Sequence, residues 1–199
     1  MHNESKVLFI ADNSVFSKIA YDCVLSFFPS TRGVFWEYGN IYAPSLDDWE
    51  GDWIISFKSD FVIPPQIFKK ASKEAINFHP APPKYRGIGG YYWAIHNADK
   101  MYGVTCHHII KKIDFGRIIA VRYFHVLEGE TPASLKIRTG VYCLGLLNEI
   151  LELIIQRRDL PLSEESWEKK LYTYEDLRKL LRHYHNLKIR RIGCLDLQS

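Results

Sequence analysis

Short apolar runs alternate with amphipathic stretches along the first 160 residues of the chain. The run KVLFIA at residues 6–11 is almost entirely apolar and carries branched and aromatic residues, which is typical of a buried strand. Asp12-Asn13-Ser14 follows as a turn with a helix N-cap, and apolar residues then recur at helical spacing from Val15 to Phe28. Strand, turn and helix in this order predict the start of a βαβ unit.

The same alternation continues to about residue 157. Further strands are predicted at residues 33–38, 53–57, 75–78, 103–110 and 117–124, and further helices at residues 66–71, 91–97 and 132–157. Thr131-Pro132 starts the last of these helices, because Thr caps a helix well and Pro is accepted at the first helical position. The pattern predicts an α/β fold, Rossmann-like and three-layered, with a mostly parallel twisted sheet.

The composition changes after Leu160, where charged residues become frequent and aromatic residues are spaced out. We therefore expect one catalytic domain over residues 1–160 and a short C-terminal extension over residues 161–199 that packs on the same domain. A helix is predicted at residues 174–185 within it. The closing residues 189–199, IRRIGCLDLQS, are predicted to include a last short strand.

Charge and cysteine content narrow the class of protein. The 199 residues include 26 basic and 23 acidic side chains, so the net charge of +3 gives no case for a nucleic-acid partner. The four cysteines are widely spaced and form no CxxC pair, as in a reducing compartment. The sequence contains no run of about 18 apolar residues, so no membrane span is predicted. We expect a cytoplasmic protein without a membrane partner.

Two polar residues stand at the end of a predicted strand, in the stretch AINFHPAPPKYRGIGG. Asn77 and His79 are two residues apart, so both side chains lie on one side of an extended backbone and Phe78 lies on the other. An Asn can donate a hydrogen bond to a developing oxyanion, and a His can donate as well or accept a proton. A structural Asn-His pair explains the same pattern, but the Pro- and Gly-rich loop that follows favours a site.

A second stretch, GVTCHHIIKKIDFGRII, carries a carboxylate and two imidazoles. Asp114 lies in an Asp-Phe-Gly turn, where it is either a turn former or a functional group. No kinase motif accompanies this turn. His107 and His108 are adjacent, so at most one can face a given cleft, and no third convergent ligand predicts a metal site. No Gly-rich nucleotide-binding motif is present.

Taken in order, NFHPAPPKYRGIGGYYWAI and GVTCHHIIKKIDFG resemble the N10-formyltetrahydrofolate-dependent formyltransferases. That family combines N-x-H-P, a Pro-rich loop, G-x-T-x-H and an Asp seven residues after this His, and His107 and Asp114 have that spacing. The resemblance implies the formyltransferase fold and a folate-dependent N-formyltransferase that uses N10-formyltetrahydrofolate and no metal. It covers residues 5–125 well and the last 35 residues poorly.

The resemblance also implies roles for individual residues. Asn77 and His79 would stabilise the tetrahedral oxyanion, and Asp114 would orient His79 and assist proton transfer. Cofactor contacts are expected from the turn Phe61, Val62, Ile63 and Pro64 and from Ile109, Lys111 and Ile113 in the later loop. Substrate contacts are expected from Lys84, Tyr85, Arg86, Gly87, Tyr91 and His107.

The acceptor follows from comparison with subgroups of the same family. The phosphate-binding Gly-Ser loop of the purine enzymes is replaced by Asp12-Asn13-Ser14, and the Ala81-Pro82-Pro83 loop is one residue short, which is expected to reshape the acceptor side. A nucleotide-linked amino sugar for a surface glycan is the expected partner, closest to small sugar-nucleotide N-formyltransferases. Alternatives are an aminoacyl group on a carrier protein or tRNA, a non-catalytic folate- or nucleotide-binding module, and a structural partner. A monomer or a homodimer is expected.

Overall fold

The structure is a computed structural model that describes residues 4–195, with side chains described to residue 184. The strands are β1 (Val7–Ala11), β2 (Thr31–Phe35), β3 (Gly51–Phe57), β4 (Ala71–His79), β5 (Arg86–Gly87), β6 (Met101–His108), β7 (Ile118–His125) and β8 (Leu171–Tyr172). The helices are α1 (Val15–Phe27), α2 (Pro65–Phe68), α3 (Gly90–His96), α4 (Pro132–Ile155) and α5 (Tyr174–Leu195).

The central sheet has the strand order β2-β1-β3-β4-β6-β7. The pairs β1–β2, β1–β3 and β3–β4 are parallel, whereas β4–β6 and β6–β7 are antiparallel. The prediction of a mostly parallel sheet in an α/β fold is therefore confirmed. A second, two-residue parallel ladder joins β5 to β8, and it attaches the C-terminal extension to the loop after β4.

Alternation along the strands divides the core between the two faces of the sheet. Val7 and Phe9 pack on one face with residues of α1 and α4, in the larger cluster. Leu8 and Ile10 pack on the other face with Ile67 of α2 and with the 46–49 loop. All four of these β1 side chains are fully buried, which explains why the strand is apolar throughout.

Helices α1 and α4 both begin at side-chain caps. Ser14 caps α1 and accepts a hydrogen bond from the Ser17 backbone N–H. Thr131 caps α4 in a capping box with Ser134, and Pro132 occupies the first helical position as predicted. The predicted N-terminus of α4 is confirmed.

Two predicted elements were wrong. The helix predicted at residues 66–71 ends at Phe68, because Ala71 already pairs with Gly51 as the first residue of β4. The short strand predicted in residues 189–199 does not form at residues 189–195, which continue α5. The last four residues lie outside the described part of the chain.

The C-terminal extension contacts the domain at several points. The Ser163 N–H donates to the Ile118 carbonyl at 3.0 Å, and the Glu168 N–H donates to the Pro83 carbonyl at 3.2 Å. Tyr174 stacks on Tyr38 with ring centroids 3.8 Å apart. In the part of the chain that the structure describes, no helix has the length and hydropathy needed to cross a membrane.

Candidate active site

The ends of β4 and β6 bring three polar side chains to one place. Asn77 and His107 are directly opposed in the antiparallel ladder, and His79 is the last residue of β4. Phe78 is fully buried in the larger core cluster, as alternation predicts. His108 lies on the opposite side and pairs with Glu74 at 3.1 Å, so only His107 of the two joins this group.

Asp114 completes the group from the turn between β6 and β7. Its Oδ2 accepts the Gly87 backbone N–H at 2.9 Å and lies 3.4 Å from His79 Nδ1. Its Oδ1 lies 3.3 Å from His107 Nε2 and accepts from Asn77 Nδ2 at 3.4 Å. The carboxylate therefore contacts every other member of what we call the polar cluster (Asn77, His79, His107 and Asp114).

The hydrogen bonds of His107 fix the role of each ring nitrogen. Nδ1 lies 2.8 Å from the His108 carbonyl, and because a carbonyl only accepts, Nδ1 carries a proton. Nε2 lies 3.0 Å from Asn77 Nδ2 and can accept one of its two protons. Only one of the two amide N–H groups of Asn77 thus makes a short bond to His107, and the other has the long 3.4 Å contact to Asp114.

His79 lies between two acceptors. Its Nε2 donates to the Tyr85 carbonyl at 2.7 Å, and its Nδ1 lies on the side of Asp114. The His79 side chain is only 6% exposed. Its Nδ1 edge, rather than Nε2, is therefore the edge at which a proton can pass to or from the Asp114 side.

The charge state of Asp114 follows from its surroundings. Burial acts to raise the pKa of this carboxyl, since its side chain is only 10% exposed. The His79 and His107 rings and the Gly87 N–H oppose burial, and together they hold the pKa of Asp114 well below its ordinary value of 3.8. Asp114 is therefore an anion at neutral pH.

The polar cluster lies at a cavity of about 810 Å³, a size suited to a drug-sized organic ligand. Apolar side chains line one part of it, namely Phe61, Val62, Ile63, Ile109 and Ile113. Aromatic side chains from three segments also line it, including Tyr38, Tyr91 and Tyr174. Among the described residues, no group of three or more His, Cys, Asp or Glu has the geometry of a metal site.

A sequence profile described as formyl transferase matches residues 40–141, just over half of the chain. The chain belongs to the formyl transferase family. The matched residues include the whole polar cluster and both strands that carry its amide and imidazoles.

Two curated relatives of this formyl transferase family member have different substrates in their names. The methionyl-tRNA formyltransferase of Mycoplasma mycoides is 32% identical over 130 residues, which are 61% of this chain and 41% of the relative. The GDP-perosamine N-formyltransferase of Brucella melitensis is 30% identical over 118 residues, which are 59% of this chain and 43% of the relative. The chain thus spans less than half the length of either relative.

Solved structures of sugar N-formyltransferases have the same fold. WlaRD, a sugar 3N-formyltransferase crystallised with dTDP and 5-N-formyl-tetrahydrofolate, aligns with a TM-score of 0.72. The identity is 19%, and the alignment covers 87% of this chain and 71% of WlaRD. At this identity the match shows that the two chains share a fold.

Three expected substrate contacts of this family member lie away from the cavity. Lys84 is half-exposed and pairs with Asp99 at 2.8 Å, and the Tyr85 hydroxyl also donates to Asp99. Arg86 is only 1% exposed, and its guanidinium donates to main-chain carbonyls. The donor groups of these three side chains are already hydrogen-bonded to other parts of the protein. We therefore no longer expect them to contact the substrate.

The other predicted contacts divide between the cavity and its surroundings. Gly87, Tyr91 and His107 line the cavity together with the polar cluster. Pro64 caps α2 and Lys111 is exposed, and both lie outside the lining. We withdraw these two as expected cofactor contacts.

The sequence did not suggest a second ion pair beside the cavity, Lys58 with Asp12. Lys58 Nζ donates to Asp12 Oδ2 at 3.1 Å and to Ser14 Oγ at 3.0 Å, and the Lys58 side chain is 4% exposed. Lys58 has a left-handed backbone, with φ of 50°. Burial acts to raise the pKa of Asp12, but Lys58 and the Ser14 and Ser17 hydroxyls lower it below 3.8.

Asp12→Asn is expected to destabilise the fold by about 3 kcal/mol at pH 7, because it leaves Lys58 buried without its counter-ion. Since the folded-state pKa of Asp12 is lowered, its contribution is complete above about pH 4 and is lost as the pH falls through the folded value. Urea unfolding of both proteins at pH 7 and in acid measures this, and the difference should shrink in acid.

The matched control for this prediction is Asp48→Asn. Asp48 pairs with Arg32, but the two side chains are 73% and 42% exposed, so little change is expected at either pH. A stability difference for Asp12→Asn that is equal at both pH values would contradict the assigned pKa direction.

Proposed function

We propose that this chain transfers the formyl group of N10-formyltetrahydrofolate to the primary amine of an amino-sugar nucleotide. The observation that carries the proposal is the polar cluster at the cavity. An amide donor and two imidazoles there each lie within 3.4 Å of an ionised carboxylate. The known family and the shared fold support it.

Asn77 is proposed to stabilise the oxyanion that develops when the amine attacks the formyl carbon. One of its N–H groups is held by His107, which fixes the plane of the amide. The second N–H makes only the long contact to Asp114, so an oxygen in the cavity can replace that contact. This is how a positioned donor favours the transition state over the ground state.

His79 and Asp114 are proposed to handle the proton that the attacking amine loses. The Tyr85 carbonyl holds Nε2 of His79, so Nδ1 faces Asp114 across 3.4 Å. A proton released near this gap meets an imidazole nitrogen and a carboxylate whose lowered pKa keeps it ionised. His79 can then pass this proton to the departing amine of the donor.

The formyl donor fits the apolar part of the cavity. Phe61, Val62 and Ile63 line the cavity together with Ile109 and Ile113, and this apolar lining suits a flat pteridine ring system. The folate supplies an activated one-carbon group when bound. The chain supplies the apolar walls that exclude water from it and the polar cluster that adjoins it.

The aromatic part of the cavity is proposed to take the acceptor. Tyr38, Tyr91 and Tyr174 provide flat faces for a base or a sugar ring. A second candidate acceptor is an aminoacyl group, because the methionyl-tRNA enzyme of Mycoplasma mycoides matches at 32% identity. In one acceptor the amine is carried by a sugar linked to a nucleotide, and in the other it is carried by an aminoacyl group.

The test is an acceptor panel. Purified protein is incubated with N10-formyltetrahydrofolate and a set of amino-sugar nucleotides, with aminoacyl-tRNA in a parallel arm, and products are analysed by mass for a formyl group. We expect formylation of at least one amino-sugar nucleotide. Formylation of aminoacyl-tRNA alone would replace the proposed acceptor, and folate binding without any product would favour a non-catalytic module.

Asn77→Ala is expected to lower kcat about 10²- to 10³-fold, as loss of one oxyanion donor does in other enzymes. The matched control is Asn97→Ala, which removes an amide that bonds the Tyr85 hydroxyl outside the cavity. Steady-state kinetics on the best acceptor compares the two. Equal kcat values for both variants would contradict the role of Asn77.

A further inference from the structure

The C-terminal strap, defined as residues 163–172, crosses behind the polar cluster. It begins at the hydrogen bond from Ser163 to Ile118, at the start of β7, and it ends in the ladder between β8 and β5. Between these points, the Glu168 N–H bonds the Pro83 carbonyl of the loop after His79. The strap therefore contacts both stretches of chain that carry the cluster.

Trp167 of the strap contacts two members of the cluster. Its ring meets the His107 ring edge to face, with centroids 4.9 Å apart and planes at 86°, and the His79 centroid is 6.0 Å away. Its Nε1–H donates to the Gly116 carbonyl at 2.7 Å. Trp167 is not among the residues that line the cavity, so it contacts the imidazoles from outside the ligand space.

The turn that carries Asp114 needs such support. Asp114 has φ of 42°, a left-handed conformation that costs a residue other than glycine on the order of 1–3 kcal/mol. Arg86 donates to the Ile113 and Asp114 carbonyls, each at 2.7 Å. Trp167 donates a hydrogen bond to the Gly116 carbonyl. Side-chain donors therefore hold the turn on both sides of Phe115.

Arg86 links the turn to the strap. Its Nη1 donates to the Lys169 carbonyl at 3.0 Å and to the Glu168 carbonyl at 3.3 Å. The guanidinium also lies 4.4 Å from the centre of the Phe115 ring. The turn, Arg86 and the strap thus form one connected unit behind the polar cluster.

We propose that Trp167 is a positioning residue of the active site, which holds the His107 ring and the Asp114 turn in the orientation that serves Asn77. This inference rests on the proposed formyl transfer. A displaced His107 would release the Asn77 amide, and misplacement by about 1 Å can cost on the order of 100-fold in rate. Trp167 itself is outside the cavity, so its replacement is expected to act on the chemical step rather than on binding of either substrate.

Two variants separate the contributions of the ring and of the N–H group. Trp167→Phe keeps an aromatic ring against His107 but removes the donor to Gly116, and kcat is expected to fall about 10-fold. Trp167→Leu removes both and is expected to lower kcat about 100-fold. KM for each substrate should stay within about twofold of wild type, since only the chemical step is affected.

Trp53→Phe is the matched control. Trp53 is buried at the start of β3, and its Nε1 has no hydrogen-bond partner among the described residues. This change alters core packing, so it is expected to lower thermal stability while leaving kcat unchanged. Stability is measured for all variants, and the Phe variant decides the question if Trp167→Leu does not fold.

A second readout does not depend on turnover. The imidazole signals of His79 and His107, assigned with His→Gln variants, are followed by NMR through a pH titration of wild type, Trp167→Phe and Trp53→Phe. The titration curve of His107 is expected to differ from wild type in Trp167→Phe, because the ring is no longer held in place beside Asp114, and to be the same as wild type in Trp53→Phe. A folded Trp167→Phe protein in which either kcat or the His107 titration curve is unchanged would overturn the proposal.

If the wild-type protein formylates no acceptor, the proposed function is wrong. The NMR titration of His107 then remains as the test of the positioning role of Trp167. A changed His107 titration curve would still assign Trp167 to the orientation of the cluster. An unchanged curve would limit Trp167 to packing.

Discussion

Asp114→Asn is expected to lower kcat for formyl transfer about 10⁴-fold, the size of loss seen when an orienting carboxylate becomes an amide. The carboxylate contacts His79, His107 and Asn77, and it is ionised because its surroundings hold its pKa low. An amide in its place has no charge and turns an N–H group toward the cluster. Steady-state kinetics with the acceptor found in the panel measures the loss.

The fold should survive this change. Asn tolerates the left-handed backbone that Asp114 adopts, and its side-chain oxygen can still accept the Gly87 N–H. Asp52→Asn is the control, because Asp52 binds the Lys6 N–H and Ser72 at the other end of the sheet. An Asp114→Asn enzyme within tenfold of wild type would show that the carboxylate is not part of the chemistry.

Gly116→Ala is expected to destabilise the protein by about 4 kcal/mol or more, or to prevent folding. A Cβ at this position would lie 1.7 Å from the His108 carbonyl oxygen, which is main chain and cannot rotate away. The strand ends would have to separate, and the bond from the His108 N–H to the Arg117 carbonyl would be strained. Urea unfolding, or the yield of folded protein, measures the effect.

Gly145→Ala is the same chemical change in open space. Gly145 lies on the exposed face of α4, and no atom is within 4 Å of where its Cβ would stand. Because Ala is the better helix former, this variant should gain about 0.5–1 kcal/mol. Gly116→Ala with wild-type stability would mean that the turn is looser than its contacts indicate.

Local patterns predicted the parts of the site that depend on neighbouring residues. The two-residue spacing of Asn77 and His79 placed both side chains on one side of β4, and the adjacency of His107 and His108 allowed only one of them to join. The capped starts of α1 and α4 were equally visible. These features follow from the periods of strands and helices.

Long-range contacts decided the rest. The family resemblance led us to expect a substrate contact from Arg86, but its guanidinium is buried and donates to the carbonyls of residues 168 and 169. Lys58 gave no signal, since its left-handed backbone and its pairing with Asp12 arise only when β1 and β3 lie side by side. Trp167 contacts the imidazoles only because the C-terminal strap folds back onto the domain, which local patterns in the sequence do not show.

The contacts between Arg86 and the strap can form only after the strands of the sheet have been synthesised. All six strands of the central sheet have been synthesised once the nascent chain has passed His125, and α4 is complete at Ile155. Two hydrogen bonds form only after residues 167–169 have been synthesised. These are the bond from the Arg86 guanidinium to the Lys169 carbonyl and the bond from Trp167 to the Gly116 carbonyl, and both join residues far apart in the sequence. The central sheet can therefore form before the strap is available, and the polar cluster gains the support of Trp167 only after the strap has been added.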